Sequence, residues 1–450
     1  MISMTLAQAA NILNTATVTG EVAFTGLSID TRTLTKGQLY FAISGHHLDG
    51  HQFLEQAQLN GAAAAVVSKP QACDLPQLIV ADTTQALGAL AAAWRQQFSL
   101  PIIAVTGSNG KTTLKNMISA IMIAACNQQS ELVLMTKGNL NNQWGVPLTL
   151  AQLNHNHRYA AIEMGMNHLG EIAYLTQLAR PHVAIITNAG ASHLEGVGNV
   201  EGVARAKAEI FSGLDRDGIA ILNRDDAFYS FWQSEIGHHP YLTFGFHPAA
   251  NVTATIHDSS EIQHITLKTP QGKIDINLPL LGKHNVLNAL AAAAATLATG
   301  ISLPTIKHGL ENMTAASGRL QLHKVTDGIR VIDDTYNANP FSLQAAINIL
   351  ANFAGKKVLV LGDMKELGEE AISLHESAGL EIRHAGIDCL FTYGELSAYT
   401  AQTFGKGATH FKDQQQLVDA LKPLMHNTTT ILIKGSRSMR MEKVVAELIN

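Results

Sequence analysis

Short apolar runs rich in β-branched residues alternate with helical stretches along this chain of 450 residues. Such alternation is typical of βαβ units, in which parallel strands are joined by crossover helices. The length exceeds what one hydrophobic core can organise, and at roughly 100–200 residues per domain about three domains are expected. The pattern therefore predicts an α/β protein with parallel sheets in several domains.

The strand and helix pattern falls into three blocks, which we predict to be domains spanning residues 1–82, 83–314 and 315–450. The first is predicted to be a smaller α/β domain. The second is predicted to hold a parallel sheet with a phosphate-binding loop. A small antiparallel sheet is added within residues 241–280, where the hydrophobic period changes to two. The third starts with a strand at 329–332 and continues as a Rossmann-like α/β domain.

Composition and charge exclude several classes of protein. Charged residues make up 15% of the chain, against about 25% in an average soluble protein, which excludes a disordered chain solvated by charge. The net charge is −5 without a basic block, so no nucleic-acid partner is expected. No apolar run reaches the ~20 residues of a membrane span, and the N-terminus lacks a signal-peptide pattern. We therefore expect a soluble, cytoplasmic protein.

The segment 107–113 follows an apolar run at 102–106 and precedes a helical pattern. Its glycines allow backbone N–H groups to close on phosphate oxygens, and the start of the helix adds a positive dipole. Lys111 is placed to reach the β- and γ-phosphates, and the Thr112 hydroxyl to bind Mg²⁺. The spacing departs from GxxxxGK[ST], because Val105 stands where the first glycine is expected. The alternative is a glycine-rich turn beside a structural lysine.

Polar residues follow two further predicted strands. Glu163 follows the strand at 159–162, and His193 lies in the loop after the strand at 183–187. Because the carboxyl ends of parallel strands meet at one edge of a sheet, both are expected near the phosphate loop. A carboxylate suits Mg²⁺, whereas an imidazole is a less usual ligand. Each residue also has a plainer interpretation, Glu163 as a surface acid and His193 as an ordinary loop histidine.

A lysine lies on the apolar face of a predicted helix. Val200, Val203, Ile210 and Leu214 recur at helical spacing, and Lys207 falls on the same stripe. A cation on a core-facing stripe is costly unless it is paired or neutralised. Either the stem is buried while the ammonium reaches water, or the lysine is recruited to an active site.

These features resemble the Mur ligases, ATP-dependent amide-forming enzymes of peptidoglycan assembly. The resemblance runs in order over essentially the whole chain and rests on Glu163, His193 and the segments 106–113, 204–211, 282–288, 317–319 and 333–340. Within the family, the segments 137–147, 334–340 and 361–368 resemble those of the members that add D-alanyl-D-alanine. The Asp-Asn-Pro-Arg run expected of the diaminopimelate-adding relative does not occur in the sequence.

The resemblance implies a site for ATP and two Mg²⁺ ions. The ATP phosphates would be held by Gly107, Ser108, Asn109, Gly110, Lys111, Thr112 and Thr113. The metal ions would be bound by Thr112, Glu163, His193 and Lys207. Carbamylation of Lys207 by CO₂ would turn an inward cation into an anion. The catalytic residues would be Lys111, His193, Lys207 and Arg319.

The resemblance also assigns the rest of the nucleotide. Arg319 would reach the γ-phosphate from the third block, Asn285 and Asn288 would lie near the adenine, and Asp334 would contact the ribose. The residues alone also allow plainer roles. The two amides are equally suited to cap an Ala-rich helix, and Asp334 to end a strand in a turn.

The substrates implied by the resemblance are UDP-N-acetylmuramoyl-tripeptide and D-alanyl-D-alanine, bound by a monomer. The substrate residues would be Ser28, Asp30, Arg32, Asp49, Gly50, Asn139, Asn141, Asn142, Tyr336, Asn337 and Arg437. Arg437 belongs to a series of cations at 434, 437, 440 and 443, predicted at a helix start. Cations there oppose the helix dipole, which indicates either a nearby anion, such as the dipeptide carboxylate, or a solvated basic face.

The implied reaction has two steps. The tripeptide carboxylate attacks the γ-phosphoryl group of ATP to form an acyl phosphate, which the amine of D-alanyl-D-alanine then attacks. Closure of the third block over the second would keep water from the acyl phosphate. Other functions remain open from the sequence: another Mur-type or folylpolyglutamate synthetase-like ligase, a P-loop kinase, or a nucleotide-gated binding protein.

Overall fold

The fold is seen in a computed structural model, which describes residues 1–15, 22–45, 48–192, 194–259, 262–314, 317–325, 328–426 and 428–449. Within these ranges the chain forms three successive α/β regions, each around a parallel sheet. The predicted fold class is confirmed. No helix in the described ranges is both long and apolar enough to cross a bilayer.

The N-terminal region is built on a four-stranded parallel sheet with the order β3-β4-β5-β6, beside an antiparallel pair β1-β2. Its elements are β1 (Ser3–Thr5), α1 (Leu6–Ile12), β2 (Ala23–Thr25), β3 (Leu27–Ser28), β4 (Leu39–Phe41), α2 (Leu54–Leu59), β5 (Ala64–Val67), β6 (Gln77–Ile79) and α3 (Thr83–Arg95). Strands β4 and β5 are buried along their whole length. Their continuous apolar runs are what a strand covered on both faces requires.

The central region contains the largest number of elements. They are β7 (Ile102–Thr106), α4 (Lys111–Ala125), β8 (Val133–Met135), α5 (Gly145–Leu150), β9 (Tyr159–Glu163), α6 (Glu171–Ala179), β10 (Val183–Ile186), α7 (Leu194–Val197), α8 (Val200–Ala208), β11 (Ile219–Asn223), α9 (Tyr229–Glu235), β12 (Tyr241–Phe244), β13 (Thr253–Ser259), β14 (Gln263–Thr269), β15 (Gly272–Leu278), α10 (Lys283–Ala298) and α11 (Leu303–Glu311).

The order of the central sheet creates a crevice. Its six parallel strands lie in the order β12-β11-β10-β7-β9-β8. The chain first adds β8 and β9 on one side of β7 and then crosses to β10, β11 and β12 on the other. A reversal of this kind leaves an opening at the carboxyl ends of the strands, where ligands of such sheets bind. The phosphate loop leaves β7 at this point.

The predicted antiparallel sheet is present as β13-β14-β15. It shares one hydrophobic core with α4 and with the Ala-rich helix α10. The stretch 241–244, which we grouped with the antiparallel strands, instead pairs in parallel with β11 at the edge of the large sheet. Local alternation could not distinguish the two, because the direction of pairing depends on the partner strand.

The C-terminal region has a six-stranded sheet with the order β16-β17-β21-β18-β19-β20, parallel except for β16. Its elements are β16 (Gln321–Lys324), β17 (Arg330–Asp334), α12 (Pro340–Ala351), β18 (Lys357–Gly362), α13 (Ala371–His384), β19 (Cys389–Tyr393), α14 (Ser397–Phe404), β20 (Ala408–Phe411), α15 (Gln414–Leu421), β21 (Thr430–Lys434) and α16 (Glu442–Ile449). The last strand inserts between β17 and β18, so a late segment of the chain lies inside this sheet.

Two helix predictions need correction. The four cations at 434–443 do not share one helix start: Lys434 ends β21, Arg437 begins a short 3₁₀ turn, Arg437–Met439, and only Lys443 lies in the first turn of α16. The apolar run 431–433 continues into Lys434 as a strand, since the ammonium finds a buried carboxylate partner. The helix that carries Lys207 ends at Ala208 and continues as a 3₁₀ turn, Glu209–Gly213.

Candidate active site

A cavity of about 960 Å³ lies at the carboxyl ends of the central strands, and the C-terminal region forms its opposite wall. The predicted residues that line it are Ser108, Asn109, Gly110, Lys111, Thr112, Thr113, Asn139, Asn141, Asn142, Glu163, Asn285, Asn288, Arg319, Asp334, Tyr336 and Asn337. These positions are spread over more than half of the sequence, yet the fold brings them to one space.

Other predicted residues lie elsewhere. Gly107, Lys207, Arg437, Ser28, Asp30, Arg32, Asp49 and Gly50 are not among the lining residues of this cavity in the described part of the chain. His193 falls outside the described residues. Arg437 is exposed and pairs with Glu442, with 3.4 Å between Nη1 and Oε1.

The phosphate loop depends on two glycines with positive φ. Gly107 has φ +151° and Gly110 has φ +83°. A β-carbon on Gly107 would overlap the hydroxyl of Thr187, and one on Gly110 would lie 2.7 Å from Oδ1 of Asn288. Both positions therefore require glycine, for space as well as for backbone conformation.

Lys111 folds back over the loop that precedes it. Its Nζ donates to the carbonyl oxygens of Gly107, at 2.7 Å, and Ser108, at 3.3 Å. Burial lowers the pKa of Lys111, while the negative charge of Glu163 opposes this and the positive charge of Arg319 adds to it. Lys111 is thus held on the phosphate loop, where its charge interacts with those of Glu163 and Arg319.

The loop after β10 forms hydrogen bonds with the phosphate loop. The Asn109 N–H donates to Oδ1 of Asn188 at 3.0 Å, and Oγ1 of Thr187 donates to the Asn109 carbonyl at 2.6 Å. The Ser108 hydroxyl donates to the carbonyl of Gly190 at 3.0 Å. From the sequence this loop is expected at the same edge of the sheet, but no role is assigned to Thr187 or Asn188, although polar residues at the end of a buried apolar strand are the signal that could have identified them.

Glu163 is 2% exposed at the end of β9. Its Oε1 accepts a hydrogen bond from Nδ2 of Asn141 at 2.8 Å. Its Oε2 is buried and has no hydrogen-bond partner among the described residues, and the same holds for Oγ1 of Thr106 at the end of the adjacent strand β7. A buried carboxylate oxygen without a partner is costly, so this end of the sheet is suited to a positively charged ligand.

Lys207 is 2% exposed in the last turn of α8. Burial and the nearby charge of Lys111 lower the pKa of Lys207 well below its ordinary value. The alternative of an ammonium that reaches water is therefore not what the structure shows. Burial and a neighbouring cation both act against the charged form of this amine.

The C-terminal region touches the phosphate loop directly. Nη2 of Arg319 donates to Oγ1 of Thr112 at 3.2 Å, and the guanidinium carbon lies 4.1 Å from the centroid of the Tyr336 ring. Nδ2 of Asn339, the residue that caps α12, donates to Oδ1 of Asn109 at 3.0 Å. The reach of Arg319 across the cleft, predicted from the resemblance, is thus present in the geometry.

Asp334 forms a buried ion pair with Lys434, with 2.6 Å between Oδ2 and Nζ. Nζ of Lys434 also donates to the carbonyl of Asn337 at 2.9 Å. Burial raises the pKa of Asp334, and the positive charges of Lys434 and Arg319 oppose this rise. Lys434 lines the cavity but was not predicted as a site residue. The sequence signal that could have identified Lys434 is a charged residue directly after an apolar strand run.

Asn285 and Asn288 lie on the first turns of α10, and both are buried. Nδ2 of Asn285 donates to the carbonyl of Leu281 at 2.7 Å, and Nδ2 of Asn288 donates to Oδ1 of Asn285 at 3.3 Å. One amide therefore stabilises the entry to the helix, as the plainer interpretation proposed. Both nevertheless line the cavity, beside Gly110.

The predicted substrate residues of the N-terminal region form a second cluster. Asp30 pairs with the exposed Arg32, with 2.6 Å between Oδ2 and Nη2. Asp49 lies 2.6 Å from Nδ1 of His51, and this hydrogen bond lowers the pKa of Asp49 to about 2. Burial, followed by the charges of Asp30 and Asp49, raises the pKa of Tyr40 to about 12. The Tyr40 hydroxyl also donates to the carbonyl of Gly50 at 3.0 Å, so both turns act on this hydroxyl.

Unfolding should depend on the charge state of His284, a cavity residue at the start of α10. Burial, and then the charge of Lys434, lower the pKa of His284 to about 4, against roughly 6.5 in an unfolded chain. Between these values the unfolded state binds a proton that the folded state does not. The contribution of His284 to the free energy of unfolding is therefore most favourable above about pH 6.5, where the residue is neutral in both states. This contribution is lost as the pH falls toward about 4.

We expect His284→Asn to weaken this pH dependence. Between about pH 7 and pH 4.5 the variant should lose about 2 kcal/mol less stability than the parent protein. The measurement is the shift of the thermal unfolding midpoint between the two pH values. His308→Asn, at an exposed position on α11, is the matched control. Equal shifts in parent and His284→Asn would contradict the prediction.

Three family models match successive parts of the chain. The profile described as Mur ligase family, catalytic domain, matches residues 23–95, and the Mur ligase middle domain matches 105–296. The Mur ligase, glutamate ligase domain, matches 318–437. A UDP-N-acetylmuramoyl-tripeptide–D-alanyl-D-alanine ligase from Escherichia coli strain K12 is 45% identical over 100% of this chain and 99% of its own length. The chain belongs to the Mur ligase family.

Solved Mur ligase structures share the whole architecture. MurF from Acinetobacter baumannii superposes with a TM-score of 0.92 at 35% identity, over 100% of this chain and 99% of that one. MurF ligase from Thermotoga maritima, solved in complex with ADP, has a TM-score of 0.83 at 26% identity, over 94% of this chain and 96% of that one. The three-region arrangement is thus that of Mur ligases of this kind.

Proposed function

We propose that the protein is an ATP-dependent ligase that joins D-alanyl-D-alanine to UDP-N-acetylmuramoyl-tripeptide, giving the pentapeptide precursor of peptidoglycan, ADP and phosphate. The observation that carries this proposal is the contact between Arg319 and Thr112, which brings a C-terminal guanidinium to the phosphate loop. The similarity to the E. coli enzyme over the full length supports the choice of substrates.

Positive groups surround the place where phosphate would bind. Lys111 would release the carbonyls of its own loop and turn to the β- and γ-phosphates, with the loop N–H groups holding the remaining oxygens. Arg319 approaches from the opposite wall. These groups would stabilise charge that develops as the tripeptide carboxylate attacks the γ-phosphoryl group. The resulting acyl phosphate makes phosphate, rather than oxide, the leaving group when the dipeptide amine attacks the carbonyl.

The residues at the end of β9 fit Mg²⁺. Glu163 offers an oxygen that is buried and unpaired, and Thr112 offers a hydroxyl from the phosphate loop. No cluster of three or more His, Cys, Asp or Glu side chains suited to a metal occurs in the described ranges. This suits Mg²⁺, which binds through one or two carboxylates together with substrate phosphates and water. Bound Mg²⁺ would neutralise charge on the transferred phosphoryl group.

We propose a carbamate on Lys207 as the second carboxylate of the metal site. The amine nitrogen would attack CO₂ and lose a proton, giving an N-carboxylate anion. The low pKa of Lys207 supports this step, because only the unprotonated amine is nucleophilic. We assign His193, which lies outside the described residues, as a further ligand.

The remaining predicted residues take substrate roles in this proposal. Asn285 and Asn288 would contact the adenine, and Asp334, held by Lys434, the ribose. Further residues that line the cavity would bind the peptide and dipeptide: Asn139, Asn141, Asn142, Tyr336 and Asn337. The cluster of Ser28, Asp30, Arg32, Asp49 and Gly50 would bind the UDP-sugar, and Arg437 the dipeptide carboxylate.

We assign residues 1–82 to UDP-sugar binding, 83–314 to ATP binding and 315–450 to dipeptide binding and closure over ATP. We also propose that the enzyme acts as a monomer. The use of ATP and of a UDP-linked substrate supports a cytoplasmic reaction.

A phosphate-release assay tests the proposed function. With ATP, Mg²⁺ and UDP-N-acetylmuramoyl-tripeptide, we expect sustained phosphate release only when D-alanyl-D-alanine is also present, because the closed site protects the acyl phosphate from water. A parallel arm replaces both substrates by a folate and glutamate, and a third contains ATP alone. Equal release with and without the dipeptide, or turnover in the folate arm, would contradict the proposal.

A further inference from the structure

A buried lysine follows the phosphate-loop lysine by one helical turn. Lys115 lies on α4 and is 4% exposed. Its Nζ donates to the carbonyl oxygen of Thr136 at 2.8 Å, which is its hydrogen-bond partner within the described chain. An ammonium has three donors, and neither the P-loop pattern nor the proposed reaction assigns this one a role.

Thr136 connects Lys115 to the proposed metal ligand. It directly follows β8 and is buried. While its carbonyl accepts from Lys115, its Oγ1 accepts a hydrogen bond from the Glu163 N–H at 2.9 Å. Its own N–H donates to the carbonyl of Ala161 on β9 at 3.1 Å. The lysine, the threonine and the end of β9 are therefore joined by a continuous set of hydrogen bonds.

The same threonine begins the loop that carries Asn141. This asparagine donates from Nδ2 to Oε1 of Glu163 at 2.8 Å, and its carbonyl accepts from the Gly165 N–H at 2.8 Å. Glu163 is thus held at its backbone by Thr136 and at its carboxylate by Asn141. Both contacts depend on the position of the chain directly after β8. The hydrogen bond from Lys115 to Thr136 fixes that position relative to α4.

The charges of Lys115 and Glu163 also interact. Burial lowers the pKa of Lys115, and the carboxylate of Glu163 is the group whose charge opposes this, while Arg319 adds to it. Lys111 interacts with Glu163 in the same way. The two lysines differ in their anchors, since the ammonium of Lys111 lies on the phosphate loop itself whereas that of Lys115 is held by the carbonyl of Thr136.

We propose that Lys115 is a positioning residue for the metal-binding carboxylate of Glu163, which it holds through Thr136 and through its fixed positive charge. The inference rests on the proposed role of Glu163 in binding Mg²⁺. Removing a residue that orients a metal ligand typically costs 10–100-fold in metal affinity. Lys115→Met, which keeps an apolar stem and removes the charge and the donor, is therefore expected to weaken metal binding by at least about 10-fold.

The test measures Mn²⁺ binding to the full-length protein with a non-hydrolysable ATP analogue, from the electron paramagnetic resonance signal of free Mn²⁺. Lys115→Arg retains a cationic donor and should bind Mn²⁺ within about threefold of the parent. Ser119→Ala is the matched control, since Ser119 is buried one turn further along α4 and donates to the Lys115 carbonyl at 2.8 Å. It should bind as the parent does.

Lys115→Gln serves as a second neutral variant if Lys115→Met does not fold. Parental Mn²⁺ affinity in either folded neutral variant, or an equal loss in Lys115→Arg, would overturn the proposal. Glu163→Gln distinguishes failure of the metal role of Glu163 from failure of the positioning role of Lys115. If it binds Mn²⁺ like the parent, the metal role of Glu163 fails and the role of Lys115 with it. If it loses Mn²⁺ while Lys115→Met does not, only the role of Lys115 fails.

Discussion

Lys207→Ala should reduce ligase turnover by about 10³-fold, which corresponds to about 4 kcal/mol of transition-state stabilisation. The reason is the loss of the proposed carbamate anion, and with it of one proposed metal ligand, from a position that is 2% exposed. The variant leaves a small cavity at that position. Added acetate or formate is expected to restore part of the activity by supplying the missing carboxylate.

The carbamate can be observed independently of turnover. With ¹³C-labelled bicarbonate the parent protein should give a carbamate signal by nuclear magnetic resonance, and Lys207→Ala should lack it. Arg205→Ala, on the exposed face of the same helix, is the matched control and should keep both signal and activity. A fully active Lys207→Ala variant, or a parent protein without the carbamate signal, would show that the lysine acts differently.

Arg319→Ala is expected to lower kcat by about 10²–10³-fold with a smaller effect on the KM for ATP. Its guanidinium meets the phosphate loop at Thr112 and is oriented by the ring of Tyr336. Because it approaches from the C-terminal wall, it can stabilise the transferring phosphoryl group only when the cleft is closed. The loss should therefore fall mainly on the transition state rather than on nucleotide binding.

Steady-state kinetics with saturating tripeptide and dipeptide measure this split. Arg319→Lys retains the charge without the planar fork and should lie between the parent and Arg319→Ala. Arg383→Ala, an exposed arginine on α13 of the same region, controls for loss of positive charge. A kcat within about threefold of the parent for Arg319→Ala would exclude a role in phosphoryl transfer.

The phosphate loop and the parallel sheets were predictable because their signals are local. The run 102–106 is a fully buried strand, and the glycines at 107 and 110 are required within the same few residues. Glu163 was found for a similar reason, since it directly follows an apolar strand. The inward position of Lys207 followed from helical spacing, although the helix ends one residue later.

Residues whose roles depend on a distant partner were missed or misplaced. Lys434 was assigned to a helix start, but Asp334, 100 residues earlier in the chain, holds it at the end of a strand. Lys115 has the same helical spacing as a core residue, and only its contact with Thr136 on another element distinguishes it. The parallel direction of β12 likewise depends on its partner strand, β11.

The order of amino acids by itself determined the α/β class and the phosphate loop, and it predicted Glu163 at the end of an apolar strand. Tertiary structure decided which of these groups meet. Arg319 lies more than 200 residues from Thr112 along the chain, and their contact exists because two sheets face each other across a cleft. Hydrophobic period and turn chemistry act over a few residues, whereas the charge and hydrogen-bond partners of a buried side chain are supplied by whatever the fold packs against it.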